Sequence, residues 1–251
     1  KTFIKPEVRQ VWDTLKNRGY AVASQLLNSI YPSICPLCSN LSDSHQHSPL
    51  CINCWRGIKR YSGPSCRICA VPLVSVYSTV CKECFTGAPL FSKVLNYGLY
   101  ADALAEAINL MKFSGLRRFA NPLGKLLLNL EMPECDGIIP VPLSKSALRE
   151  RGFNQSLLMA KVISKKLKTP LYMDMLLKRK DTLPQVGLSA KERMKNLKGA
   201  FKTGGKISNL RLLLLDDVMT TGATARECSK TLMSAGAKEV IVITLARAGM
   251  I

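Results

Sequence analysis

Two patterns in this chain of 251 residues could do chemistry. The first is Asp216-Asp217-Val218-Met219-Thr220-Thr221-Gly222-Ala223-Thr224. The hydroxyls of Thr220, Thr221 and Thr224, with the backbone N–H groups of the turn, can all donate to one phosphate. Gly222 lets the backbone approach that phosphate with no Cβ in the way. Two adjacent carboxylates cannot bind phosphate themselves. They suit the vicinal hydroxyls of a ribose that carries it, so the spacing indicates a clamp for ribose 5-phosphate. The chain has no Gly-x-x-x-x-Gly-Lys-Ser/Thr, so this is not a nucleotide P-loop.

The second pattern is cysteine. Cys35-Pro-Leu-Cys38 is followed by Cys51-Ile-Asn-Cys54, and Cys66-Arg-Ile-Cys69 by Cys81-Lys-Glu-Cys84. Each C-x-x-C turn can present two thiolates to one tetrahedral metal, and two turns close a Cys₄ zinc site. Two similar units make an internal repeat that calls for two structural Zn²⁺ ions. The segment is too poor in apolar mass to fold well alone, so metal supplies folding energy. Disulfides are the rival chemistry, but the opening residues carry no apolar run of the export kind. The spacing leaves two pairings open, consecutive knuckles or first with third. His45 and His47 are expected to be solvated, and Cys135 and Cys228, without a C-x-x-C partner, to be packing residues.

The elements that must hold these groups follow from the apolar pattern. Leu212 to Leu215 is an unbroken apolar run, the mark of a strand covered on both faces, and the acids are expected at its carboxyl end. Residues 223–235 read as the helix that opens on the turn. Residues 91–100, 138–141, 171–177 and 239–247 read as further strands. Residues 101–112, 118–130 and 156–167 read as helices. The alternation is that of a parallel sheet with right-handed crossovers. Residues 178–201 read as a polar, basic, mobile cover, in which Ser189 and Glu192 could form a capping box. Residues 7–30 read as a helix, either packed on the protein or offered to a partner or a membrane surface. The expected domains are 1–32, an amino-terminal helix; 33–88, a double zinc ribbon; and 89–251, the sheet domain, with residues 86–89 as linker. No run is long enough for a transmembrane helix.

Formal charge is +19, falling to about +15 if eight thiolates bind two zincs. Residues 145–211 hold 17 Lys/Arg against 4 Asp/Glu. Such density beside a phosphate site implies polyanionic ligands: diphosphate, nucleic acid or an anionic membrane face. Lys145, Arg149, Arg151, Arg179 and Arg193 are candidates for diphosphate. Lys165, Lys166 and Lys168 are candidates for DNA. Aromatic residues are scarce in the segment, so backbone electrostatics rather than base stacking would carry DNA affinity.

The run of aliphatics, Asp-Asp, two residues and Thr-Thr-Gly-x-Thr resembles the phosphoribosyl-diphosphate (PRPP) motif of type I phosphoribosyltransferases. Taken with the four knuckles, Arg149-Glu-Arg151-Gly-Phe-Asn-Gln155 and Gln185-Val-Gly-Leu-Ser189 through Asn196, the order resembles the ComF family of bacterial competence proteins. The resemblance covers the chain from about residue 33 onward. It implies an α/β fold: a type I phosphoribosyltransferase-like parallel sheet flanked by helices, with a small amino-terminal double zinc ribbon. It also implies a role in natural transformation or DNA use, handling single-stranded DNA in the cytoplasm or at the cytoplasmic face of the inner membrane, beside a helicase-like DNA-import partner. Three functions compete. One is a DNA-uptake factor that binds PRPP or a phosphorylated ribose and single-stranded DNA. Another is an active phosphoribosyltransferase on a nucleobase-like acceptor, with Mg²⁺ and the basic groups neutralising expelled diphosphate. The third is a zinc scaffold with a vestigial pocket. No general base stands out, and the catalytic residues are unassigned.

Overall fold

The computed structural model describes residues 33–42, 47–180 and 190–249. The helix expected over residues 7–30, His45 and residues 181–189 of the basic cover, Ser189 among them, lie outside these. Residues through Gly57 form one compact unit and residues from Ile58 another. The first knuckle pair falls in the one unit and the second in the other.

The repeat read from the cysteines is a repeat of backbone structure. In the first ribbon the Cys35 N–H donates to Asn40 O and the Ser39 N–H to Cys35 O, and Ile34 bridges Leu41. In the second the Cys66 N–H donates to Val71 O and the Ala70 N–H to Cys66 O, and Ser65 bridges Pro72. Ser39 and Ala70, each just after its knuckle, share a left-handed φ of 58° and 54°. Each second knuckle opens a short helix: α1 (Ile52–Arg56) and α2 (Lys82–Thr86). In the first ribbon His47 stacks on Trp55 with ring centroids 4.3 Å apart.

From Ile58 onward the chain builds the sheet. Strands β1 (Lys93–Leu99), β2 (Gly137–Pro140), β5 (Arg211–Met219) and β6 (Glu239–Arg247) stand in the order β1-β6-β5-β2. Every pairing is parallel. β5 is interior, so Leu212 to Leu215 are buried from both faces. Fully burying each leucine contributes on the order of 1.5–3 kcal/mol. One face packs Leu212, Leu214, Val240 and Val242 against α8 (Ala223–Ser234) through Ala225, Cys228 and Leu232. Among the helices before β5 are α3 (Asp102–Phe113), α4 (Ala120–Leu127), α5 (Lys145–Arg151) and α6 (Gln155–Leu167). α4 and α6 pack on each other and on the sheet.

Three details differ from the sequence reading. β5 runs four residues past the leucines, because Asp216, Val218 and Met219 stay paired with Thr244, Ala246 and Arg247 of β6. Leu171 makes only a bridge to Ile138; the strand expected there forms later, as β3 (Leu176–Lys178), antiparallel to β4 (Phe201–Thr203). The helix expected from residue 118 starts as a 3₁₀ turn over Arg117–Phe119. The basic cover does contain a short helix, α7 (Ala190–Leu197), and it packs on α8. No helix among the described residues is long and apolar enough to cross a membrane.

The division between units makes the two metal sites experimentally separable. Cys38→Ser should lower the zinc content from about two ions to about one and leave the unfolding of the larger unit unchanged. Cys69→Ser should remove the other zinc and lower the melting temperature of that unit by roughly 10 °C or more, since each kcal/mol is worth about 2–4 °C at this size. Metal analysis and calorimetry on both variants check this.

Candidate functional site

Each set of four cysteine sulfurs gathers within 4.8 Å: Cys35, Cys38, Cys51 and Cys54 in one, Cys66, Cys69, Cys81 and Cys84 in the other. Knuckles therefore pair consecutively. Cys38 Sγ lies 3.6 Å from Cys51 Sγ, and Cys69 Sγ 3.6 Å from Cys81 Sγ. Four sulfurs about 2.3 Å from a central zinc stand about 3.8 Å apart, so both clusters fit the ion. Their titration agrees. In the first cluster burial raises the Cys54 thiol strongly, and its neighbours' sulfurs add to the rise. Cys35 settles at about 6, because backbone N–H donors outweigh its burial. In the second, burial and the Cys69 charge hold Cys84 far up, while Cys66 settles at about 7. Four thiolates cannot share such a space without a cation between them.

The second ribbon abuts the turn after β5. Gly222 caps α8 at φ 78°, and a Cβ there would stand 2.5 Å from Met219 Cε, so only glycine makes this corner without strain. Thr220 is exposed, and Thr221 Oγ1 accepts the Ala223 N–H at 3.4 Å. The carboxylates diverge, because successive side chains of a strand point to opposite faces. Asp217 is buried and pairs with Lys112 of α3 at 2.9 Å, while its Oδ2 has no partner. Asp216 receives the Ser156 hydroxyl at 3.5 Å. Burial first, then the Asp217 charge, raises the Asp216 carboxyl to about 7, against the pull of Lys112.

Of the diphosphate candidates, Arg193 reaches the turn: its guanidinium donates to Thr220 Oγ1 at 2.9 Å, and its buried Nε has no partner. Arg179 instead donates to Gly199 O at 2.8 Å. Lys145 and Arg149 are exposed on α5, beyond the carboxyl end of β2, and Arg151 lies over the Phe113 ring at 5.7 Å. Lys165, Lys166 and Lys168 are exposed at the far end of α6. The chain from there returns at once to the start of β2, where Pro170 O accepts the Ile138 N–H. These lysines therefore sit by the amino-terminal end of β2, at the end of the sheet away from the turn.

Two arginines were not legible as site residues. Arg247 ends β6 and is buried. Its Nη1 donates to Met219 O at 2.9 Å, to Ala248 O at 3.1 Å and, at close range, to Thr220 O; its Nε donates to Cys69 O at 3.0 Å. One guanidinium thus ties the turn to the second ribbon. Arg226, one turn into α8, donates to Gly87 O at 2.8 Å and approaches Cys84 Sγ at 3.8 Å. The only signal in sequence was a cation closing an apolar strand. Between ribbon and turn lies a cavity of about 430 Å³, walled by Val71, Arg193, Met219, Thr220, Thr221 and Arg226 among others.

A parallel α/β domain with an acid pair and a Thr-Thr-Gly corner on its central strand, preceded by two Cys₄ ribbons, defines the class. Residues 26–85 match the double zinc ribbon domain family. Competence protein F of Haemophilus influenzae is 35% identical over 212 residues, covering 79% of this chain and 90% of that protein. DNA utilization protein YhgH of Shigella flexneri is 31% identical over 226 residues, covering 86% and 97%. The chain belongs to the family that holds these two proteins. Among solved structures, glutamine PRPP amidotransferase from B. subtilis is similar over 55% of this chain and 30% of its own, at 21% identity and a TM-score of 0.39.

Two measurements test the site's internal chemistry. Arg247→Met takes the donor from the buried Cys69 O and from the carbonyls of the turn, at about 1–3 kcal/mol for a buried group left unmet, so urea unfolding should show a loss of roughly 2 kcal/mol or more. Asp216 carries a raised pKa in the fold, so its stabilising contribution is complete below the ordinary carboxylate range and is lost as pH rises through about 7. Asp216→Asn should therefore flatten the fall in unfolding midpoint across that window. A wild-type slope in the variant would contradict the assignment.

Proposed function

We propose that this protein serves the uptake and use of DNA, binding PRPP or another phosphorylated ribose at residues 220–224 and single-stranded DNA on its basic surface. The names of its relatives support the role. One observation carries the ligand: two buried polar atoms of opposite kind have no partner beside the turn. Arg193 Nε is a donor suited to a phosphate oxygen, and Asp217 Oδ2 is an acceptor suited to a sugar hydroxyl. The phosphate would add the amino-terminal N–H groups of α8, a 12-residue helix. Lys145, Arg149 and Arg151, on helix α5 after the neighbouring strand β2, would meet a diphosphate together with Mg²⁺. The protein would act in the cytoplasm or at its membrane face, beside a helicase-like import partner.

A second reading, catalytic transfer of the ribosyl group to a nucleobase-like acceptor, draws on Asp216. A carboxyl that titrates near 7 can carry a proton at neutral pH. Released diphosphate from PRPP with a panel of bases would establish it.

Calorimetric titration of PRPP, with and without Mg²⁺, tests the ligand. Asp217→Asn should weaken binding by about 1–3 kcal/mol, and Thr221→Ala should weaken it further. Unchanged affinity in the double variant removes the ligand from this turn. For DNA, log affinity should fall linearly with log salt, by about 0.7 per phosphate contacted. Neutralising Lys165, Lys166 and Lys168 together should flatten that slope and leave PRPP binding intact, because the three stand by the amino-terminal end of β2, away from the turn. A wild-type slope would take that surface out of the account.

A further inference from the structure

Two Cys₄ clusters of one sequence pattern differ in how far solvent reaches them. In the first, Cys35 and Cys51 are buried, Cys54 is half-buried and Cys38 is exposed. In the second, none of the four cysteines is more than 5% exposed. Cys66, Cys69, Cys81 and Cys84 share a core there with Leu212, Leu214 and α8. The cavity by Thr220 and Thr221 touches Cys69 and Cys81 but leaves both buried. Arg226 stands 3.8 Å from Cys84 Sγ, where its positive charge lowers the nucleophilicity of that sulfur. A zinc-bound cysteine is a thiolate, the reactive form of the group, so exposure decides how readily an oxidant attacks it. Cys38 joins that reactive form to an open position, and Cys51 Sγ lies 3.6 Å from it.

We propose that Cys38 is a reversible oxidation site with Cys51 as its resolving thiolate, so that the first ribbon, and not the second, exchanges its zinc for a disulfide. The oxidant is a hydroperoxide, of which hydrogen peroxide is the simplest. The Cys38 thiolate attacks one peroxide oxygen; an S–O bond forms, the O–O bond breaks and hydroxide leaves, giving a sulfenic acid. The Cys51 thiolate then attacks the Cys38 sulfur; an S–S bond forms, the S–O bond breaks and a second hydroxide leaves. The two sulfurs have lost two electrons, and the peroxide has taken both. A disulfide is a poor zinc ligand, and Cys35 and Cys54 alone leave the tetrahedral site half empty, so the ion departs and the fold it supports loosens. A thiol reductant reverses the bond by exchange, and the four thiolates take zinc again. The division of the chain confines the event, because the first cluster lies in the unit that ends at Gly57 and the second in the unit with the sheet. One ribbon is thereby an oxidisable module and the other a permanent part of the core.

The test follows zinc release from the full chain, loaded with both ions, by a chromophoric chelator during treatment with hydrogen peroxide. One zinc should leave roughly tenfold faster than the other or more, as the exposure of the attacked thiolate dictates. Peptide mapping at the end of that fast phase should find Cys38 joined to Cys51, with Cys66, Cys69, Cys81 and Cys84 still reduced. The melting transition of the larger unit should be unchanged at that point, and a thiol reductant with added Zn²⁺ should restore the starting protein. Cys38→His removes the exposed thiolate but keeps a ligand, as in Cys₃His sites, so it should hold both zincs and lose the fast phase. Release of both zincs at one rate, a map without the Cys38–Cys51 bond, or equally fast release with chelator alone overturns the proposal. So does a fast phase that persists in zinc-loaded Cys38→His. Where that variant loads only one zinc, the rates and the map of the native chain decide.

Discussion

The buried guanidinium of Arg247 is the contact on which the site's architecture depends. A cation that is 5% exposed must find acceptors, and it finds them on the end of β5, on the next residue, Ala248, and on Cys69 of the second ribbon's first knuckle. Met219 O also accepts the Ala248 N–H, which fixes the same corner a second time. The turn that follows the acid pair is therefore held by the ribbon, and the ribbon by the sheet. Val94 N–H donating to Ile68 O repeats the attachment at the other edge of the sheet, on β1.

This attachment gives two ribbons with one sequence pattern different surroundings. The second buries all four of its cysteines and shares a core with Leu212, Leu214 and α8. The first leaves Cys38 exposed and closes on Leu50 and the stacked pair His47–Trp55 within its own unit. In both, burial and the neighbouring sulfurs raise one thiol, Cys54 or Cys84, so gathering four thiolates calls for a metal and links it to the fold at each site. Among the described residues, only in the second does the metal site also border the cavity by Thr220 and Thr221.

The charge of the chain is divided in the same way. Arg193, Arg226 and Arg247 converge on the turn, whereas Lys165, Lys166 and Lys168 point to water across the sheet. Charges that face water and charges gathered at the turn are thus carried by separate residues. The first are screened by salt within about 10 Å, and the second, partly buried, much less.

Local pattern sufficed for elements whose identity depends on neighbours in sequence. The leucine run announced an interior strand because only burial on both faces tolerates it. Gly222 announced the corner because no other residue takes φ 78° there cheaply. The C-x-x-C knuckles announced two Cys₄ sites because three-residue spacing already sets two sulfurs on one ion. What sequence left open was decided by contacts between segments far apart in the chain. Consecutive knuckle pairing was one of two arrangements that the spacing allowed. β5 outran its apolar residues because β6 went on supplying partners. Of residues 171–177 only Leu176 and Leu177 form strand, because only they meet partners, Thr203 and Lys202 of β4. Lys112, Arg226 and Arg247 carry no local signature, since a lone cation on a helix or at a strand end reads as surface until its acceptors are placed. Asp217, 217 residues into the chain, is met by Lys112, and Cys69 by Arg247; the free energy of burying a charge makes each pair obligatory, and only the fold brings its members together.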